Sequence, residues 1–155
     1  MQMSISTVIF SLALSMLTIG VAAQELPAAY DSTLAKQYGA DDYGMKTYVM
    51  AFLKRGPNRN LPQEEADKLQ RAHMENISRL AAEGKLMVAG PFYGDGDLRG
   101  IYIFDVATIE EAQALTATDP AIKAGSLKME LLKWYGSAAM NAIPSMHEKL
   151  AKINP

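Results

Sequence analysis

From Met45 to Trp134 the chain alternates segments of strand period with segments of helical period, and the order of those segments restricts the fold more than any other feature. "MKTYVMAFLKR" (Met45 to Arg55) puts Tyr48, Met50 and Phe52 on one face and Val49, Ala51 and Leu53 on the other, the pattern of a buried strand. "GPNRNLP" is loop, and Pro62 suits the first turn of a helix rich in Glu64, Glu65 and Asp67 that runs to Glu83 and stops at Gly84. Two short strands follow, Leu86 to Ala89 and Ile101 to Phe104, around a turn of Gly94, Asp95, Gly96 and Asp97. Thr108, with Glu111 three residues on, opens a second helix, "TIEEAQALTAT", which "DPAIKAG" breaks. Leu127, Met129 and Leu131 alternate with Lys128 and Glu130 in a last strand ending near Trp134. The order βαββαβ in about 90 residues predicts an α+β, ferredoxin-like domain: a four-stranded antiparallel sheet with both helices on one face and the other face uncovered.

The flanks read differently. Residues 1–23 contain an uncharged apolar run from Ser6 to Ala23, with small residues at Val21 and Ala23, and predict a signal peptide cleaved between Ala23 and Gln24. Because "MQMSIS" has no Lys or Arg, a retained membrane anchor is the alternative. Export to the periplasm or medium, with no stable membrane insertion after cleavage, is the expectation. Residues 24–44 form an arm in which Asp31 or Ser32 caps a short helix ended by Gly39. Residues 136–155 form a helical extension with Ile143, Met146, Leu150 and Ile153 along one stripe and Pro144 near its first turn.

At 155 residues, 49% hydrophobic and 21% charged, the chain supports one packed domain beyond these flanks. A net charge of −2 lacks the basic face that neutralising phosphates requires, which argues against nucleic acid as a partner. The absence of cysteine excludes disulfides, thiolate metal sites and a thiol nucleophile. His147 has no spaced carboxylate or second histidine, so no metal site is expected there, and the ten methionines are scattered as core filling.

The first helix of the βαββαβ unit contains an anomaly. At about 100° per residue, Ala66, Leu69, His73, Ile77, Leu80 and Ala81 share one stripe with His73 near its middle, where packing alone would favour leucine. Burying an imidazole without partners costs on the order of 1 to 3 kcal/mol, so His73 is either a core histidine bonded to a carbonyl or an acid/base group. Asp119, in "TATDPAIKAG", reads as the N-cap of a short turn opened by Pro120 and closed by Gly125, or as a carboxylate that orients His73. Spacing does not decide between these. Tyr48 on the first strand, and Tyr93 and Arg99 beside the glycine-rich turn, are lesser candidates for lining a pocket.

"HMENISRLAAEGKLMVAGPF", "GIYIFDVATIEEAQALTATDPAIKAG" and "LKMELLKWY" together resemble the YciI-like (YCII-related) family over about Met45 to Tyr135. His73, Gly90, Pro91, Asp119, Pro120 and Gly125 match its pattern of a helix histidine, a Gly-Pro after the second strand, and an Asp-Pro turn ending in Gly. The resemblance implies a ferredoxin-like domain that dimerises through its open sheet face as an α+β barrel, with a His-Asp dyad at His73 and Asp119. Among relatives are a dehydrochlorinase of a chlorinated hydroxyhydroquinone and, sharing the barrel, muconolactone isomerases. The leader, the arm and the C-terminal extension lie outside the minimal family unit. The expected activity is that of an exported, cofactor-free, metal-free lyase or isomerase. It would transfer a proton on a small cyclic or aromatic substrate through His73 and Asp119, with Tyr48, Gly90, Pro91, Tyr93 and Arg99 as candidate substrate contacts. The alternatives are a noncatalytic ligand-binding module and a structural envelope protein on the same dimeric barrel.

Overall fold

The computed structural model describes residues 29–153, so the expected signal peptide and the first residues of the arm lie outside the described residues. All the elements below belong to the unit that begins at Asp31. They are α1 (Ser32–Tyr38), β1 (Met45–Arg55), α2 (Gln63–Ala82), β2 (Leu86–Pro91), β3 (Leu98–Phe104), α3 (Ile109–Thr116), the one-turn α4 (Pro120–Lys123), β4 (Leu127–Ser137), a 3-10 turn (Ala138–Ala142) and α5 (Ile143–Leu150).

The four strands form one antiparallel sheet in the order β2-β3-β1-β4, the ferredoxin-like topology. Central β1 pairs Ala51 with Tyr102 of β3 on one side and with Leu131 of β4 on the other, which puts those three side chains on one face. On that face Val49, Ala51, Leu53, Leu86, Tyr102 and Phe104 meet Leu80 of α2 and Ala112 of α3, and this is the main core. The two sets on β1 therefore divide by strand parity: Val49, Ala51 and Leu53 face the helices, and Tyr48 and Met50 face the other way.

Local chemistry places the helix ends. Thr108 and Glu111 form a reciprocal capping box at the start of α3, Asp31 caps α1, and Gly39 and Gly84 take the left-handed conformation just past α1 and α2. β2 and β3 extend beyond the apolar runs that marked them, through Gly90, Pro91 and Gly100, whose pairing is made by backbone alone. A Cβ on Gly100 would stand 2.5 Å from the Gly90 carbonyl oxygen, so only glycine permits that approach.

The second sheet face is only partly open. Tyr48, Met87 and Ile103 form a smaller cluster there, and Met140 of the 3-10 turn packs on it. Tyr48 Oη donates to Asn141 Oδ1 at 2.7 Å, and Asn141 Nδ2 donates to Asp105, which also pairs with Lys46 at 2.7 Å. The extension thus begins as a latched 3-10 turn and becomes helical only at Ile143, with Pro144 in its first turn; α5 ends at Leu150, so Ile153 is not on it. Ile143, Met146 and Leu150 remain exposed.

Candidate active site

α2 and α4 carry the two residues singled out by the sequence. His73 projects from the middle of α2 toward β3 and is 7% exposed; Asp119 caps α4 and is fully buried. His73 Nδ1 lies 2.8 Å from Asp119 Oδ2 and 3.0 Å from Oδ1. Oδ1 also accepts the Ala121 backbone N–H at 2.8 Å, so the carboxylate both caps α4 and meets the ring. A carboxylate here only accepts, so Nδ1 carries the proton and, in the neutral ring, Nε2 is left as an acceptor. The Tyr102 hydroxyl lies 3.3 Å from Nε2 and donates to it. Burial, reinforced by the charge of Asp119, drives the Tyr102 phenol well above its ordinary range and keeps it a protonated donor.

Further along α2, Arg79 Nη2 donates to Asn76 Oδ1 and to Thr118 Oγ1, each at 2.9 Å. Polar contacts therefore tie α2 to the α3–α4 joint, and the dyad's geometry is set by packed elements rather than by a loop. The result is a buried chain of donors and acceptors, Tyr102 to His73 to Asp119 to the Ala121 amide, suited to holding one tautomer and moving one proton.

The model of the YCII-related domain matches residues 47–135, which include His73, Tyr102 and Asp119. The chain belongs to the YCII-related domain family. Over 62 residues it is 32% identical to "Uncharacterized protein YjpA" of Bacillus subtilis (strain 168), a stretch covering 40% of this chain and 71% of that protein. Among solved structures it is similar to the 5-chloro-2-hydroxyhydroquinone dehydrochlorinase TftG of Burkholderia phenoliruptrix in complex with 2,5-dihydroxybenzoquinone. The identity is 22% and the TM-score 0.43, over 56% of this chain and 92% of that one.

Within this YCII-related domain the other sequence candidates do not gather round the dyad. Tyr48 is on the opposite face of the sheet, latched to Asn141. Gly90 and Pro91 pair with Ile101 and Gly100 at the end of β2. Tyr93 is fully exposed at the turn, and Arg99 bends back to donate to the Gly94 carbonyl at 2.7 Å. The physical reasons are strand parity for Tyr48 and, for Arg99, the nearness of unpaired turn carbonyls. Tyr102 is the residue that sequence reasoning missed. Its signal was present as alternation: Tyr102 and Phe104 share one parity of β3, and a tyrosine on a core-facing parity needs a partner for its hydroxyl.

An open cleft of about 320 Å³ reaches Ala121, the neighbour of the dyad, though neither His73 nor Asp119 lines it. It lies between the loop after β1, the first half of α2 and the turn from α4 to β4, with Leu61, Ala66, Leu69, Gln70, Ala121 and Leu127 in its walls. Helical side chains lean toward the N-terminus, so His73 lies over the turn that carries Leu69 and Gln70. Ala121, the residue whose amide holds Asp119, is shared by cleft and dyad. Among the described residues, no three His, Asp or Glu side chains converge as a metal-ligand set.

Proposed function

We infer that this chain is a small lyase or isomerase that moves a proton on a small cyclic or aromatic molecule, with His73 as acid/base group and Asp119 as its orienting carboxylate. The observation that carries this reading is the buried contact of His73 Nδ1 with Asp119 at 2.8 Å, which turns the other nitrogen, Nε2, toward proton transfer. In the forward step the Tyr102 O–H, which lies on the Nε2 lone pair, passes its proton to Nε2 while its oxygen takes one from an acidic carbon of the substrate, and the electron pair stays with the substrate. The imidazolium so formed is stabilised by the Asp119 carboxylate. An isomerase returns the proton to another atom; a lyase expels a leaving group with the electron pair. Tyr102 ends the step a phenol again, its oxygen now accepting from the protonated ring, so the network is satisfied in both states.

The test is exchange into heavy water. Small enolisable cyclic ketones, lactones and halogenated phenols are incubated with the protein and followed by proton NMR. Wild type exchanges or converts members of at least one class, and His73→Gln keeps the fold but loses about 100-fold or more. No exchange with any class by folded wild type rejects the enzyme. It would leave the second reading, a noncatalytic ligand-binding or structural module, which the full partnering of both ring nitrogens in a closed environment favours.

The same reading includes export with cleavage between Ala23 and Gln24, and a homodimer that covers what remains of the open sheet face. Intact mass from the native host checks the first, since a chain retaining Met1 rejects it. Light scattering checks the second, and a monodisperse monomer at micromolar concentration rejects it. No described helix is long and apolar enough to cross a membrane.

A further inference from the structure

We propose that the cleft beside the dyad binds a single-ring organic anion, its carboxylate or equivalent acidic group held by Arg59 and Gln70 and its ring held against Leu61, Leu69 and Leu127. The inference rests on the proposed function only in taking this cleft as the substrate's.

The cleft is built rather than incidental. Gly56 N–H donates to the Ser126 carbonyl and Asn58 N–H to the Gly125 carbonyl, each at 2.9 Å, and Asn58 Nδ2 donates to the Ala124 carbonyl at 3.1 Å. These three bonds clasp the loop after β1 to the turn before β4. The clasp depends on glycine: a Cβ on Gly56 would stand 2.1 Å from the Gly125 carbonyl oxygen, and Gly125 itself has a φ of +69°. The walls are thereby fixed before any ligand arrives, which spares the cost of ordering them on binding.

The chemistry of the lining selects the ligand. Two of its polar side chains are already committed, Asn58 to the clasp and Ser126 Oγ to the Ala121 carbonyl at 3.2 Å. Arg59 and Gln70, both exposed, are its other two polar side chains and have no hydrogen-bond partner among the described residues. The lining includes that one guanidinium and no carboxylate, so the charge it complements is negative. The remaining walls are Leu and Ala, and 320 Å³ is at the small end of ligand pockets, which run from roughly 300 to 1,000 Å³. That volume matches one ring. A guanidinium takes a planar carboxylate through two parallel N–H donors, and an amide from Gln70 adds a third. Ala121 is the wall residue nearest the dyad, so the end of the cleft at Ala121 is the one by which a bound ring approaches it.

The experiment uses the full chain and two probes of equal shape, benzoate and benzamide, titrated while amide proton–nitrogen NMR spectra are recorded. Benzoate is expected to shift the Ala66, Gln70, Ala121 and Ser126 amides and to bind about tenfold more tightly than benzamide. Arg59→Gln, at an exposed loop position, is expected to remove most of that preference while leaving the spectrum otherwise folded. Equal binding of the two probes, benzoate shifts confined elsewhere, or an unchanged preference in Arg59→Gln overturns the proposal. His73→Gln separates the two readings. It should keep benzoate binding, so benzoate binding without any proton exchange would sink the acid/base reading alone, and exchange without benzoate binding would sink this one alone.

Discussion

Replacing Asp119 by asparagine changes one atom of the dyad and should reverse the histidine ring. The carbonyl oxygen of the substituted side chain can still accept the Ala121 amide that Asp119 now takes at 2.8 Å, so the cap on α4 is kept. The second position then becomes an NH2 group facing Nδ1 across 2.8 Å, and two donors oppose each other. The cheapest resolution is the other tautomer, with Nδ1 bare to accept from the new amide and Nε2–H donating to the Tyr102 oxygen across 3.3 Å. A charge-assisted bond worth about 1.5 to 3 kcal/mol becomes a neutral one worth about 0.5 to 1.5 kcal/mol, so Asp119→Asn should lose about 1 to 2 kcal/mol. That is roughly 3 to 8 °C in melting temperature for a domain of this size. Long-range proton–nitrogen NMR of the imidazole reads the tautomer directly. Wild type should show a protonated Nδ1 and the variant a protonated Nε2. A wild-type ring protonated at Nε2, or a variant that keeps the Nδ1 proton with unchanged stability, would refute the reasoning. Proton-transfer activity should fall in the variant as well, because Nε2 can no longer accept.

Other parts of the structure lead to three further outcomes. Stability should decline from about pH 10 upward. The folded state holds Tyr102 above its ordinary value and pushes Tyr48 up to about 12, first by burial and then by Asp105 for Tyr48, so between pH 10 and about 12 the unfolded chain has lost protons the folded chain retains; flat urea midpoints across that window would contradict it. Gly56→Ala drives a Cβ into the Gly125 backbone and should cost about 1 to 3 kcal/mol by opening the clasp, with loss of benzoate binding; a variant of wild-type melting temperature would show the approach is looser than described. Deleting residues 138–155 removes Asn141 and Met140 from above Tyr48, now fully buried, and should cost about 2 kcal/mol and increase binding of a hydrophobic dye; an unaltered melting curve would mean the latch contributes nothing.

The elements of the fold were legible because their determinants are local. A capping box at Thr108 and Glu111, a left-handed glycine past a helix and the parity of apolar residues on a strand each involve a handful of neighbours, and together they identify β1, α2, α3 and β4 and their order. The ends of β2 and β3 were not legible, since Gly90, Pro91 and Gly100 contribute backbone pairing without a side-chain pattern. The apolar spacing of the extension suggests a single helix through Ile153. Contacts of Asn141 and Met140 with residues far back in the chain hold its first turn in 3-10 form instead, and α5 stops at Leu150.

The sequence by itself determined that His73 sits on the buried stripe of its helix and that Asp119 heads a proline turn, because helical period and capping are properties of adjacent residues. Only the tertiary structure decided that these two side chains, 46 positions apart, meet at 2.8 Å, and that Tyr102 completes the chain. It likewise decided that Tyr48, a lesser candidate in the sequence, is on the far face beneath the extension. Strand parity says which residues share a face; which face the helices cover depends on the pairing of β1 with β3 and β4 and on the crossover that lays α2 across them, and no local run of residues encodes that.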